Sequence, residues 1–246
     1  MTELKSRVAF VTGGSRGLGA AIARRLAQAG ADVAITYVQS AMRAEAVVAE
    51  IEALGRRALA LRADSADAEE IVEAVHAAAR HFGRLDILVN NAGIFPYGPP
   101  DEVDVETLDR TLAIHVRGVF LASQAALAHM GEDGRIVSIG SSLGTQVPAP
   151  GTTLYSMSKS ALTGFTKGLA RDLGPRGITV NLVSPGSTDT DMNPADGEGA
   201  EEQRAITPLG RFGTPDDVAM AVAFLAGPGG RQITGATLAV DGGVTA

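Results

Sequence analysis

Arg7-Val8-Ala9-Phe10-Val11-Thr12-Gly13-Gly14-Ser15-Arg16-Gly17-Leu18-Gly19 decides how the chain folds. Arg7 to Val11 is a short apolar, β-rich run, which reads as a buried strand. Glycines follow at once, and then a helical stretch from Ala20 to Ala29 that Gly30 closes. Glycines between a strand and a helix allow a tight turn and let an anion approach the backbone. The helix beyond offers unpaired N–H groups and a positive dipole end to that anion. Gly13, Ser15, Arg16, Gly17, Leu18 and Gly19 are therefore candidates to cradle a pyrophosphate. The spacing Gly-x-x-x-Gly-x-Gly is not the commoner dinucleotide fingerprint, so a glycine-rich turn with no ligand stays open as a reading.

The same strand-then-helix rhythm repeats outward. Further strands are expected at Ala31–Tyr37, Arg57–Leu61, Leu85–Val89, Arg135–Ile139, Ile178–Val183 and Thr237–Val240. Helices are expected after Ser40, which can cap a run to Leu54 closed by Gly55, and after Asp67, running to Phe82. A long one spans Asp104 to Met130, another carries Tyr155 and ends near Leu173, and the last runs from Pro215 to Leu225. Alternation of this kind builds parallel βαβ units with helices on both faces, a single doubly wound Rossmann-type α/β domain of about seven strands over residues 1–246. Ligands in such sheets sit beyond the carboxyl ends of the strands. The loops after strands one, four, five and six should form the site.

Composition narrows the class. The chain has 246 residues, 45% of them hydrophobic, and a net charge of −7, which disfavours a nucleic-acid surface. Cysteine is absent, so disulfides and thiolate chemistry are excluded. Met1-Thr2-Glu3-Leu4-Lys5 leads straight into a strand without a signal-peptide pattern, and no apolar run reaches membrane-spanning length. A cytoplasmic protein with no membrane partner is the expectation. His76, His81 and His129 have no metal-ligand spacing and are expected to be solvated, so no metal is expected.

The end of strand two speaks to the cofactor. NAD enzymes usually place an acid there for the ribose 2′-hydroxyl, but Tyr37 and Val38 occupy the region. Arg16 and Arg43 can instead attract a 2′-phosphate, which favours NADP(H) over NADH, although Arg43 reads equally as a solvated helix residue. Asp64-Ser65 can accept from an adenine amino group or cap a helix. Asn91, Ala92 and Gly93 bring backbone close to the cofactor's path, although Asn91 can also tie strands together. Tyr155 and Lys159, four apart, share a helix face.

Taken together, these residues resemble the short-chain dehydrogenase/reductase family in its single-domain form. Thr12-Gly13-x-x-x-Gly17-x-Gly19, Asn90-Asn91-Ala92-Gly93, Ser141, Tyr155-x-x-x-Lys159, Pro185-Gly186 and Val240-Asp241-Gly242-Gly243 carry the resemblance across essentially the whole chain. The subgroup it is most similar to is the 3-oxoacyl-acyl-carrier-protein reductase-like ketoreductases. The resemblance implies that Tyr155 is the general acid toward a carbonyl oxygen, and that Lys159 holds the nicotinamide ribose and lowers the phenol's pKa. It implies that Ser141 binds the substrate oxygen, and that Pro185, Gly186 and Thr188 line the nicotinamide. The pattern Ile139-Gly140-Ser141-x-x-Gly144 points to Ser141, while the family's commonest distance to the tyrosine points to Ser142; Ser141 is taken. One position departs from the family, His115-Val116-Arg117-Gly118 standing where Asn-x-x-Gly is usual. His115 can donate, accept or carry a proton near neutral pH, or simply fill space beside Tyr155.

The expected function is NADPH-dependent reduction of a ketone or 3-oxoacyl-type carbonyl by a homotetramer. Ser187–Gly213 is read as a substrate-covering loop with one short helix. Phe95, Tyr97, Leu143, Val147 and Met192 are read as an apolar substrate wall. An NAD-dependent alcohol dehydrogenase and a catalytically weak dinucleotide-binding protein are the alternatives.

Overall fold

A computed structural model describes residues 3–246. Residues 1 and 2 of the Met1–Lys5 lead-in lie outside the described residues, and residues 3–6 form a turn rather than running straight into a strand. Seven parallel strands form one sheet: β1 (Val8–Val11), β2 (Asp32–Tyr37), β3 (Ala58–Arg62), β4 (Ile87–Asn90), β5 (Arg135–Ile139), β6 (Thr179–Pro185) and β7 (Thr237–Val240). Their order is 3-2-1-4-5-6-7, so the crossovers reverse between β1 and β4. Register fixes that centre, with Ala9 to Val11 facing Val33 to Ile35 on one side and Ile87 to Val89 on the other.

The helices are α1 (Gly17–Gln28), α2 (Ala41–Ala53), α3 (Ala68–Phe82), α4 (Val105–Leu112), α5 (Val119–Leu127), α6 (Thr153–Leu173), α7 (Ala200–Ala205) and α8 (Pro215–Ala226). Strand side chains alternate between two cores, as the pleat requires. Ala9, Val11, Val33 and Ile35 pack with α1, α2 and α8. Val8, Phe10, Ala34 and Leu88 pack with α3, α5 and α6. With a helical layer on each face, β1 has no water-facing side, which is why its sequence is apolar throughout.

Local chemistry sets the helix ends. Asp67 accepts from the Glu69 and Glu70 amides, and Gly83 ends α3 in the left-handed region at φ 82°. Thr214 and Asp217 form a capping box with Pro215 at the first turn of α8. Ser40 precedes α2 as expected but makes no side-chain capping bond.

The expected helix from Asp104 to Met130 is interrupted. Asp104 does cap α4, accepting from the Thr107 amide, but Ala113–Gly118 is a π-helical turn, and α5 ends at Leu127. A Cβ at Gly118 would lie 2.3 Å from the Ser65 carbonyl oxygen. The loop after β3 thus presses against the backbone of the π turn, where only glycine fits. His76 and His129 are not solvated as expected. They bridge α3 and the end of α5, Nδ1 to Nε2 at 2.7 Å, because those helices lie side by side on one sheet face. No helix among the described residues is long and apolar enough to cross a membrane, and none of them form a three-ligand group able to hold a metal ion.

Candidate active site

The crevice lies beyond the carboxyl ends of β1 and β4, where strand order reverses. The loop after β1 turns through Gly13 (φ 65°) and Gly17 (φ 52°). A Cβ at Gly19 would fall 2.2 Å from the Gly13 carbonyl oxygen and 2.5 Å from Asn91 Nδ2, so the loop closes on itself only because that side chain is absent. Arg16, at the N-cap of α1, makes no capping bond. The amides of the first turn, Gly17 to Gly19, have no intrahelical acceptor and remain available to an anion. Ser15 is half-buried within the turn, and Leu18 anchors it on the core. This cradle fits a diphosphate.

Asn91 stitches the two sides of the crevice. Its Nδ2 donates to the Thr12 and Gly13 carbonyls at 2.9 and 3.1 Å, and its own amide and that of Ala92 donate to Thr12 Oγ1, both at 2.9 Å. Both amide hydrogens of the Asn91 side chain are therefore spent on structure.

On the outer side, Tyr37 ends β2 half-buried, and no carboxylate stands beside it on that strand. Arg16 and Arg43 converge there, but on an acid that gave no signal in sequence. Asp191 Oδ2 lies 2.6 Å from Arg43 Nη1 and 3.9 Å from Arg16 Nη1. Asp64 accepts from the Ala66 amide and pairs with Arg110 at 3.1 Å, but it caps no helix, because the N-cap of α3 is Asp67. Ser65 is buried near Thr12, Asn90 and Ala92.

On the inner side, the first part of α6 brings Tyr155 and Lys159 beneath the ends of β4 and β5. Lys159 is buried, and its Nζ donates to the Ile139 carbonyl at 3.0 Å. Burial pushes its pKa down to about 8. Burial also raises the Tyr155 pKa, and a hydrogen bond from Ser141 lowers it only in part. The expected lowering of the phenol by Lys159 is therefore not what the structure gives. The ammonium lies 5.8 Å from the ring centroid, and desolvation outweighs what acts against it. Ser141, half-buried, reaches the phenol and accepts from the Leu143 amide, whereas Ser142 is buried within a short 3₁₀ turn.

His115 stands beside both. Its ring is 5.7 Å from that of Tyr155, edge to face. The Ile94 amide donates to Nε2 at 3.0 Å, which places the ring proton on Nδ1, 2.8 Å from Ser158 Oγ. Ser158 in turn donates to the Tyr155 carbonyl at 2.7 Å. Burial, with Lys159 nearby, holds the His115 pKa down at about 3. The histidine is neutral at physiological pH, so of the roles open to it in the sequence, donor, acceptor and packing group fit this site and a proton carrier near neutrality does not. Gly93 stands between the two groups, and a Cβ there would meet His115 Nε2 at 3.2 Å and Lys159 Nζ at 3.6 Å.

The loop after β6 completes the ring. Pro185 ends the strand, Gly186 lies against the Asp241 backbone, and the Thr188 hydroxyl donates to the Gly186 carbonyl at 3.0 Å. Phe95 meets the Tyr155 ring edge to face at 4.8 Å, and Tyr97 stacks beyond it. The arrangement runs from a glycine-rich loop to a hydroxyl, a phenol and an ammonium group.

Comparison with known proteins agrees with that class. A family model described as enoyl-(acyl carrier protein) reductase matches residues 13–245. A short-chain dehydrogenase of Burkholderia cenocepacia, solved in complex with NADP, is 61% identical, with a TM-score of 0.98 over 99% of this chain and 100% of its own. A blue fluorescent protein from a metagenomic library, solved with NADPH, is 57% identical with the same TM-score, over 99% of this chain and 100% of its own. An uncharacterized oxidoreductase of Methylorubrum extorquens is 45% identical over 99% of this chain and 100% of its own. The chain belongs to the short-chain dehydrogenase/reductase family and is an oxidoreductase.

Proposed function

We propose that the protein reduces a ketone or 3-oxoacyl-type carbonyl to the secondary alcohol with NADPH. The observation that carries this reading is the convergence of Ser141 and Lys159 on Tyr155 at the inner end of the crevice. The nicotinamide, when bound, supplies the hydride. A phenol whose pKa is raised stays protonated at neutral pH and can donate to a carbonyl oxygen as charge develops there. Ser141 donates to the same oxygen. Lys159 takes the ribose hydroxyls, and Pro185, Gly186 and Thr188 flank the ring. His115 acts as a positioning residue, fixing Ser158 and the 93–94 backbone around the Tyr155 turn.

Gly13, Ser15, Gly17, Leu18 and Gly19 would hold the diphosphate, and Ala92 and Gly93 would lie along it. Asp64 and Ser65 would be the groups offered to the adenine. Arg16 and Arg43 favour a 2′-phosphate, which accords with relatives solved with NADP and NADPH. Phe95, Tyr97, Val147 and Met192 are exposed apolar groups around the crevice mouth, and Leu143 is half-buried there. They suit an uncharged substrate of medium size. Phe120 on α5, beside Phe165 on α6, and Phe224 and Met220 on α8 are exposed, which supports a homotetramer. Light scattering of Phe120→Glu should then give a smaller species than wild type, and an unchanged mass would remove that face from the assembly.

The test of function is oxidation of NADPH and NADH by wild type and Tyr155→Phe across ketones, diketones and 3-oxoesters. Turnover with NADPH should fall about 10²- to 10⁴-fold in the variant, with NADPH affinity retained. Comparable turnover by the phenylalanine variant, or turnover with NADH alone, would refute the reading.

A further inference from the structure

The substrate-covering segment reaches across the crevice and touches the arginines on its far side. Thr190 and Asn193 exchange backbone hydrogen bonds, at 3.3 and 3.0 Å, in a tight turn with Asp191 and Met192 at its tip. Thr190 is the nearest neighbour of Gly17, 3.8 Å from where a Cβ would be, so the turn overlies the phosphate loop. The Asn193 side chain exchanges two hydrogen bonds with Gln203, at 2.8 and 3.0 Å, which ties the turn to α7. At the tip, one carboxylate oxygen of Asp191 faces Arg43 at 2.6 Å and Arg16 at 3.9 Å. Arg16 comes from the glycine loop, Arg43 from the first turn of α2 and Asp191 from the loop after β6, and the two arginines share no other ion-pair partner among the described residues.

We propose that Asp191 is a latch that occupies the anion position of the cofactor's 2′-phosphate, holds the 187–213 segment across the crevice, and is displaced when that phosphate arrives. The proposal rests on the NADP reading above. A phosphate brings roughly twice the charge of a carboxylate and three acceptor oxygens, so it outcompetes Asp191 for the two guanidinium groups. A 2′-hydroxyl carries no charge and leaves the latch closed. The pair is about half exposed at each partner, 58% for Arg43 and 53% for Asp191. It is therefore weak enough to be opened by a ligand and to be screened by salt. Opening carries α7 with the turn, through Asn193 and Gln203. The nucleotide's phosphate would thus set how freely substrate enters.

Two fragments separate the pieces: adenosine 2′,5′-bisphosphate carries the phosphate, and 5′-AMP lacks it. Calorimetric titration at low salt should show Asp191→Asn binding the bisphosphate about two- to fivefold more tightly than wild type, with 5′-AMP affinity unchanged. Trypsin should cleave wild type at Arg204 or Arg211 faster once the bisphosphate is added, and no faster with 5′-AMP. Asp191→Asn and Arg43→Met should be cleaved at the faster rate without any nucleotide. If wild type binds the bisphosphate no better than 5′-AMP, the NADP reading itself fails. If it prefers the bisphosphate, but the asparagine variant binds it equally or less well and cleavage does not change, the latch is refuted and the NADP reading stands.

Discussion

Lys159→Met should make the difference in stability between variant and wild type depend on pH in a way that few surface changes do. Lys159 is 6% exposed, and its hydrogen-bond partner is a carbonyl rather than a carboxylate. Its charge is therefore desolvated without compensation, and its pKa falls from the ordinary 10.5 to about 8. Each tenfold change in a protonation constant is about 1.4 kcal/mol, so the charged lysine costs the folded state about 3 kcal/mol at pH 7. Because the folded pKa lies below the unfolded one, the unfolded chain binds more protons between about pH 8 and 10.5. Wild-type stability therefore rises through that window as the cost disappears. Methionine carries no charge at any pH. The Ile139 carbonyl that it leaves without a donor costs about 1–3 kcal/mol, but by an amount that does not change with pH. Urea unfolding at pH 7, 8, 9 and 10 should thus show wild type gaining about 2–3 kcal/mol on Lys159→Met between pH 7 and 10. A difference flat across that range would mean that Lys159 keeps its solution pKa, and the desolvation argument would be wrong.

Other expectations are quicker to state. His115→Asn should keep or raise activity, and its rate profile should run parallel to wild type from about pH 5 to 7, since a histidine titrating at about 3 is neutral throughout. An acid limb near its ordinary value of about 6.5 that vanishes in the variant would contradict this. His115→Ala should unfold about 2–4 kcal/mol more easily, having lost a buried ring, the acceptor of the Ile94 amide and the donor to Ser158; a loss within experimental error in urea would count against the network. Gly19→Ala places a methyl group 2.2 Å from a backbone oxygen that cannot move aside without opening the loop. It should cost at least about 2 kcal/mol in urea unfolding and weaken NADPH at least tenfold in a fluorescence titration. Unchanged binding would remove the cradle from the site.

Much of this was legible in the sequence because it is local. Val8 to Val11, the glycines at 13, 17 and 19, and the cap at Asp67 act within a few residues of themselves, and so do the strand and helix runs between glycines. The π turn was not legible, since Ala113–Gly118 has ordinary helical periodicity and is shaped by the Ser65 carbonyl pressing on Gly118. The charge state of His115 was not legible, because burial is a property of the packed fold, not of the residue. The same holds for the direction of the Tyr155 shift. Asp191 meets Arg43 across 148 residues of chain, and nothing in the composition of an exposed loop announces such a partner. His76 and His129 were taken for surface groups for the same reason, 53 residues apart and neighbours only once α3 and α5 pack.

The position of β1 in the sheet has a consequence for time rather than for affinity. One edge of β1 is paired by residue 35, but the other waits for residues 87–89, so the molecule is assembled from two halves that meet at a single join. Thr12 and Asn91 rivet that join from either side. A nucleotide lying in the crevice would cross it and could bind only after the halves had come together. Its stabilisation would then appear almost wholly as slower unfolding, with the rate of folding scarcely altered. Held across its join in this way, the enzyme would owe its lifetime under heat or protease to how long the bound nucleotide stays.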